Sequence, residues 1–148
     1  MRTEREEFHQ LCRAGIVSGS VDDFVIAQAE AELGVKFPSE YREILQEYGA
    51  VLADGVHLYG LLRAEDNGSP QWEDVVAVTK KLREWGQVGA DRQSFVPICD
   101  DGSGVYFYLD TSVSPATKIC AVGPGVERIF DAGLFRFLLD LSEGKLAV

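Results

Sequence analysis

The chain has 148 residues, of which 46% are apolar and 26% charged, with 24 acidic side chains against 14 basic ones. That length suits one domain able to bury about 68–70% of its unfolded surface, so neither disulfides nor metal ions are needed to hold it together. A net charge of −10 argues against a surface for nucleic acid or for an anionic membrane, because both demand clustered Lys and Arg.

The charged N-terminal stretch leads into no apolar run of signal-peptide length, and the most apolar C-terminal stretch, residues 134–141, is interrupted by Arg136 and Asp140. Cys12, Cys99 and Cys120 are odd in number, far apart and outside any C-x-x-C pattern, which predicts free thiols in a reducing cytoplasm.

Taken in chain order, residues 1–19 read as a helical extension. Phe8, Leu11 and Cys12 recur at i, i+3, i+4, and Gly15 ends the run. A second helix starts at Ser20, with Asp23 in a capping-box spacing. Phe24, Val25, Ala29 and Leu33, with Ile26 alongside, form its apolar face, and Gly34 is its stop. A third helix opens at Pro38, and Tyr41, Ile44, Leu45 and Tyr48 share one face up to Gly49. The short link between these helices predicts a hairpin.

Beyond Gly49 the period shortens. Residues 51–53 and 56–62 read as strands around Asp54-Gly55, and residues 64–71 as a polar loop. Residues 72–85 fit two patterns: Val75 to Val78 reads as strand-like chain entering a helix over residues 77–85, while Val75, Val78, Leu82 and Trp85 also fit one helix. Residues 95–99 and 105–109 predict a hairpin around Asp100-Asp-Gly-Ser-Gly104, with Val105, Phe107 and Leu109 on one face and Tyr106, Tyr108 and Asp110 on the other. Residues 118–122 form a further strand, and residues 129–141 a closing amphipathic helix. The fold class expected is a single α+β domain: an N-terminal helix pair, a central antiparallel sheet with an inserted helix, and a C-terminal helix packed on the sheet.

Chemical motifs are sparse. His9 and His57 lie far apart and in no metal-binding spacing, and Gly102-Ser-Gly104 lacks the strand–turn–helix setting of a nucleophile elbow. Asp100-Asp101 is a candidate for a divalent cation, but the loop lacks the alternating ligands of an EF-hand and reads better as an Asx-type turn. Neither cofactor, metal nor catalytic residue is expected. The charge pattern says more: the whole acidic excess falls in residues 1–110, and residues 111–148 hold four acidic and four basic groups. Glu65, Asp66, Glu73, Asp74, Asp100 and Asp101 are its densest pairs. Solubility accounts for such an excess, and so does a coherent negative face that steers a basic protein partner.

Several strings resemble the SMI1/KNR4 family, also called the SUKH superfamily. They are Glu30-Ala-Glu-Leu-Gly34, Phe37-Pro-Ser-Glu-Tyr41, Leu45-Gln-Glu-Tyr-Gly49, Pro97-Ile-Cys-Asp-Asp-Gly-Ser-Gly104 running into residues 105–110, and Leu134-Phe-Arg-Phe-Leu138. The resemblance spans about residues 20–142 and divides the chain into an extension, residues 1–19, and a domain, residues 20–148. It implies structural roles for Leu33, Gly34, Pro38, Tyr41, Leu45, Tyr48, Gly49, Pro97, Gly102, Gly104, Asp110, Phe137 and Leu138. It also implies a non-enzymatic, cytoplasmic binding protein of immunity type, monomeric or weakly dimeric, that neutralises a toxin domain such as a nuclease. Trp72, Tyr106 and Tyr108 would then serve as aromatic anchors beside the acidic pairs where their face is exposed, the alternative being that these rings pack under a helix. A regulatory or scaffold domain with another protein partner is the alternative, and a small hydrolase or metal-binding protein the second.

Overall fold

Side-chain caps and left-handed glycines set the helix boundaries. In the computed structural model, which describes residues 3–53, 56–61, 74–87, 89, 92–100, 104–114, 116–131 and 133–144, Thr3 caps α1 (Glu4–Ala14) by accepting the Glu6 N–H at 3.1 Å. Asp22 caps α2 (Asp23–Leu33) through the Val25 N–H at 3.1 Å, two residues after the Ser20 start expected from the capping-box spacing. Gly34, at φ 71°, closes it. Pro38 precedes α3 (Ser39–Glu47), and Asp74 caps α4 (Val75–Trp85). The last helix, α5 (Leu134–Ser142), has no cap from its own first turn. Glu40 of α3 supplies one instead, its Oε1 accepting the Leu134 N–H at 3.0 Å and the Thr117 hydroxyl at 2.6 Å.

Two antiparallel sheets carry the strands. The first, in the order β1 (Ile16–Val17), β2 (Val51–Ala53) and β3 (Val56–Leu58), pairs Leu52 with both Ile16 and His57. The second is a meander of β4 (Phe95–Asp100), β5 (Tyr106–Asp110), β6 (Ile119–Gly123) and β7 (Val126–Phe130). The Tyr59 N–H joins them by donating to the Ile98 carbonyl at 2.7 Å. Helices cover both faces of the meander. Phe107 meets Phe137 of α5, with ring centroids 5.1 Å apart, while Tyr108, on the opposite face, lies beneath Gly89. A Cβ at Gly89 would come within 2.9 Å of the Tyr108 ring.

The α+β architecture, the α2–α3 hairpin and the C-terminal helix on the sheet match the sequence reading; Asp23 at the start of α2 meets Gln46 at the end of α3, at 2.7 Å. Three readings need correction. Residues 75–78 are helical, because Asp74 caps the Ala77 N–H and places Val75, Val78 and Leu82 on one buried stripe. Ile129 and Phe130 are not helical: they end β7, which pairs with β6, and Gly133 separates them from α5. Phe24 is 70% exposed, since the buried face of α2 consists of Ile26, Ala29, Glu30 and Leu33. The helical extension, residues 1–19, packs into the main core. Phe8 and Cys12 of α1 are buried with α5 and β2, and β1 completes the first sheet.

Candidate partner-binding surface

Tyr59 is the residue that holds one of the predicted site residues, Asp100. Its backbone N–H is held by Ile98, and its carbonyl accepts the Tyr41 hydroxyl at 2.6 Å. Its own hydroxyl donates to the carboxylate of Asp100, at the end of β4. The ring meets His57 edge-on at 5.9 Å between centroids. Fixed on three sides, Tyr59 fixes Asp100 in turn, and a charged group with its rotamer already chosen loses less entropy when it binds. Asp100 itself is exposed, and across the strand pair it faces half-buried Tyr106.

The next residue, Gly60, holds the second acidic position. Its carbonyl accepts the Val75 N–H at 2.8 Å and it bridges to Asp74, whose carboxylate caps α4 through the Ala77 N–H at 3.0 Å. Asp74 and Asp100 are thus tethered to consecutive residues of one short segment. Their electrostatic effect is felt nearby. The Tyr59 phenol is raised above its ordinary range by burial first and then by Asp100, and Tyr41 is raised by burial and then by Asp74. Both phenols are therefore neutral donors at physiological pH.

Of the other predicted contact residues, Tyr108 is fully buried and offers no surface to a partner. Glu65, Asp66, Trp72, Glu73 and Asp101 lie outside the described residues, as does Gly102. Sequence reasoning missed Tyr59 as the partner of Asp100, because the contact depends on how β3 meets β4, which no local spacing records.

Leu33, Tyr41, Leu45, Phe137 and Leu138 are buried core residues. Pro97 sits at the register shift of β4, a strand position that tolerates a missing N–H. Asp110 caps the 3-10 turn Thr111–Val113 through the Ser112 N–H at 3.1 Å. Tyr48 meets His9 through its hydroxyl at 2.5 Å from Nδ1. Gly49 and Gly104 both have positive φ, at 76° and 104°. Glu30 is only 5% exposed; its carboxylate accepts the Phe37 N–H at 2.7 Å and an Arg42 N–H at 2.6 Å, bracing the turn between α2 and α3.

Among the described residues no group of three or more His, Cys, Asp or Glu gathers where a metal ion would sit, and no helix is long and apolar enough to cross a membrane. The thiols are poor nucleophiles: burial, with Glu47 nearby, pushes Cys12 up to about 12, and burial raises Cys99 and Cys120 as well. This has a consequence for stability. An unfolded thiol ionises near about 8.5, so above that pH the unfolded chain sheds protons that the folded chain keeps. The contribution of Cys12 is whole below that value and is lost as pH climbs toward about 12. Buried Tyr41 and Tyr59 act in the same direction. The urea midpoint is expected to fall between neutral pH and about pH 10, with a smaller fall for Cys12→Ala. A midpoint that holds constant would show that the buried phenols and thiols do not titrate in the unfolded chain alone.

The described part of this surface presents a positioned carboxylate, Asp100, beside aromatic rings. Comparison with the curated proteins finds no match. Residues 25–138 match the SUKH_6 family model, described as SMI1-KNR4 cell-wall. That match covers well over half of the sequence, with the scaffold positions above inside it, and the chain belongs to the SMI1-KNR4 (SUKH) family.

Proposed function

We propose that this protein is a non-catalytic, cytoplasmic binding protein of immunity type, which neutralises a cognate toxin domain by occupying its basic surface. The observation that carries the reading is Asp100: an exposed carboxylate, locked by the Tyr59 hydroxyl and set beside Tyr106, in a chain of net charge −10. A toxin built to grip phosphate, such as a nuclease, carries clustered Lys and Arg. A preformed acidic face would compete for those groups and speed encounter. In this reading the acidic pairs Glu65-Asp66, Glu73-Asp74 and Asp100-Asp101 supply the field, and Trp72 and Tyr106 supply apolar contact. Tyr108 leaves the list because it is buried.

The test is co-expression with a toxin encoded beside it, followed by affinity measurement at two salt concentrations. Asp100→Lys is expected to weaken binding about tenfold or more, with a reduced salt dependence. Tyr59→Phe keeps the charge but frees its rotamer, and is expected to cost about 0.5–1.5 kcal/mol of binding. Full affinity in both variants would place the interface elsewhere, and failure to protect against any adjacent toxin would remove the immunity role. The cell-wall description of the matched family favours a second reading, a regulatory domain with a different protein partner. That reading predicts a captured partner without toxin neutralisation.

A further inference from the structure

We infer that Asp100, flanked by the phenols of Tyr59 and Tyr106, is a recognition site for an arginine guanidinium of the partner; this rests on the reading above that the partner presents a basic surface. The starting observation is a break in the register of β4. Pro97 pairs with Tyr108 and Cys99 with Phe107, so Ile98 is left out of the ladder as a bulge. Side chains alternate along a strand, and without the extra residue Asp100 would share the face of Phe107, on the side of α5. The bulge turns it to the face of Tyr106 and Tyr108, with Tyr106 directly opposite across the strand pair. The carbonyl of the bulged Ile98 also accepts the Tyr59 N–H at 2.7 Å, and Tyr59 in turn carries its hydroxyl to Oδ2 of Asp100. One irregularity therefore assembles all three side chains.

Each member is held in place by the fold. Tyr59 is buried, and its phenol is raised by burial first, then by Asp100, with smaller contributions from Cys99 and Tyr106. It stays a neutral donor, and its place in this electrostatic set puts it near Tyr106 as well as Asp100. Half-buried Tyr106 leans on Tyr108, with ring centroids 6.4 Å apart. Tyr108 is fully buried and packs on Phe95 at 5.6 Å. A site carried on two paired strands with such backing keeps its geometry better than one carried on a loop.

A carboxylate beside an aromatic ring selects a cation, and the chemistry selects which one. A guanidinium is planar, stacks on aromatic faces, gives up its hydration readily and offers a fork of N–H donors. Asp100 already accepts the Tyr59 hydroxyl, but a carboxylate has about four acceptor positions, so guanidinium N–H groups are accommodated beside it. The Tyr106 ring then meets the flat face of the group. A lysine ammonium is a compact, strongly hydrated point charge with no flat face, and it gains mainly the attraction to Asp100. Asp100 thus sets affinity for a cation, and Tyr106 sets the preference for arginine.

Calorimetric titration of the full chain with an oligo-arginine peptide and an oligo-lysine peptide of equal length tests this. Both probes carry the same charge, so the general pull of an acidic chain largely cancels in the ratio of their affinities. The wild type is expected to bind the arginine peptide at least about threefold tighter. Tyr106→Leu is expected to bring the ratio close to one, with the lysine peptide within about twofold of its wild-type affinity. Tyr59→Phe, which removes only the hydroxyl that fixes Asp100, is expected to weaken the arginine peptide about threefold, and Asp100→Asn to weaken both peptides. A ratio near one in the wild type, or a preference that survives Tyr106→Leu with circular dichroism unchanged, would overturn the inference. The two readings fail separately. A preference that depends on Tyr106, in a chain that protects against no adjacent toxin, removes the immunity role and leaves the site. Protection without that preference removes the site and leaves the role.

Discussion

Replacing Phe8 by alanine is expected to lower the unfolding free energy by about 3–5 kcal/mol, and deleting residues 1–14 to abolish cooperative folding. Phe8 lies outside residues 25–138, the span shared with the family, yet it has no solvent exposure. Its ring meets Phe135 of α5 at 5.4 Å and Tyr48 at 6.4 Å between centroids, so it fills the angle between α5 and the end of α3. Cys12, one turn on, is buried in the same cluster. Around this wedge the helix is held by Arg5 to Glu43 at 2.7 Å and by Glu4 to Arg136 at 2.6 Å. Both pairs are largely solvated, and each contributes at most about 1 kcal/mol. The packing term therefore dominates. Urea denaturation decides the matter: an exposed surface residue would shift the midpoint little, and so would a truly separate extension. Glu4→Ala serves as the comparison, with an expected loss of at most about 1 kcal/mol.

How far this fold could be read from its sequence depends on whether the controlling interaction was local. α3 was legible because Tyr41, Ile44, Leu45 and Tyr48 repeat at helical spacing and Gly49 ends the run, all within one segment. Gly34 was legible for the same reason, as a left-handed cap. β7 was not. Phe130, Leu134, Phe137, Leu138 and Leu141 keep a helical period across its end, and the strand is decided by pairing with β6, where Cys120 faces Ile129. The start of α4 misled in the opposite way. Its β-branched Val75, Val76 and Val78 favour extended chain, but Asp74 is fixed by Gly60 and caps the first turn, so tertiary context overrides propensity.

The candidate surface divides along the same line. The acidic character of the chain and the exposed position of Asp100 could be read directly, because charge and turn chemistry are local properties. The hydroxyl that locks Asp100 comes from Tyr59, 41 positions earlier. Tyr106 and Tyr108 alternate with apolar neighbours, and that pattern alone leaves open whether their face is exposed or packed under a helix. Gly89 lies against the Tyr108 ring, and both faces of β5 are buried there. Phe24 was misassigned for a related reason. An apolar residue near the start of an apolar helix reads as core, and only the orientation of α2 against α3 shows that it points outward.

The second large effect expected is at Gly49, where alanine should cost about 3–5 kcal/mol. Two separate penalties act there. Gly49 has φ 76°, and an L-residue held in that left-handed region loses about 1–2 kcal/mol. The larger part is steric. A Cβ at this position would lie 2.4 Å from the Gly19 carbonyl oxygen, 2.4 Å from Ser18 Oγ and 2.9 Å from the Leu61 carbonyl oxygen. The carbonyl oxygens are backbone, and Ser18 is not free to turn away, because its Oγ accepts the Ala50 N–H at 2.8 Å in a buried position. The crossing chain is held down on both sides of the contact: the Ser18 N–H donates to the Ala50 carbonyl at 3.0 Å and the Gly19 N–H to the Tyr48 carbonyl at 2.8 Å. Relief therefore requires moving the chain between β1 and α2 away from the end of α3, and with it the first sheet. Gly86 provides the control, since it has φ 70° but no atom within 4 Å of its would-be Cβ. Gly86→Ala is expected to lose only the conformational part, about 1–2 kcal/mol. The two variants, compared by urea denaturation with the slope checked for constancy, separate backbone strain from close approach. Equal losses at the two sites would mean that the chain beside Gly49 yields easily and that its place at the end of the Leu45–Gly49 motif reflects φ alone. A loss several times greater at Gly49 would identify it as the point where the N-terminal segment is fastened to the family core, and would explain why α1 and β1 fold as part of that core.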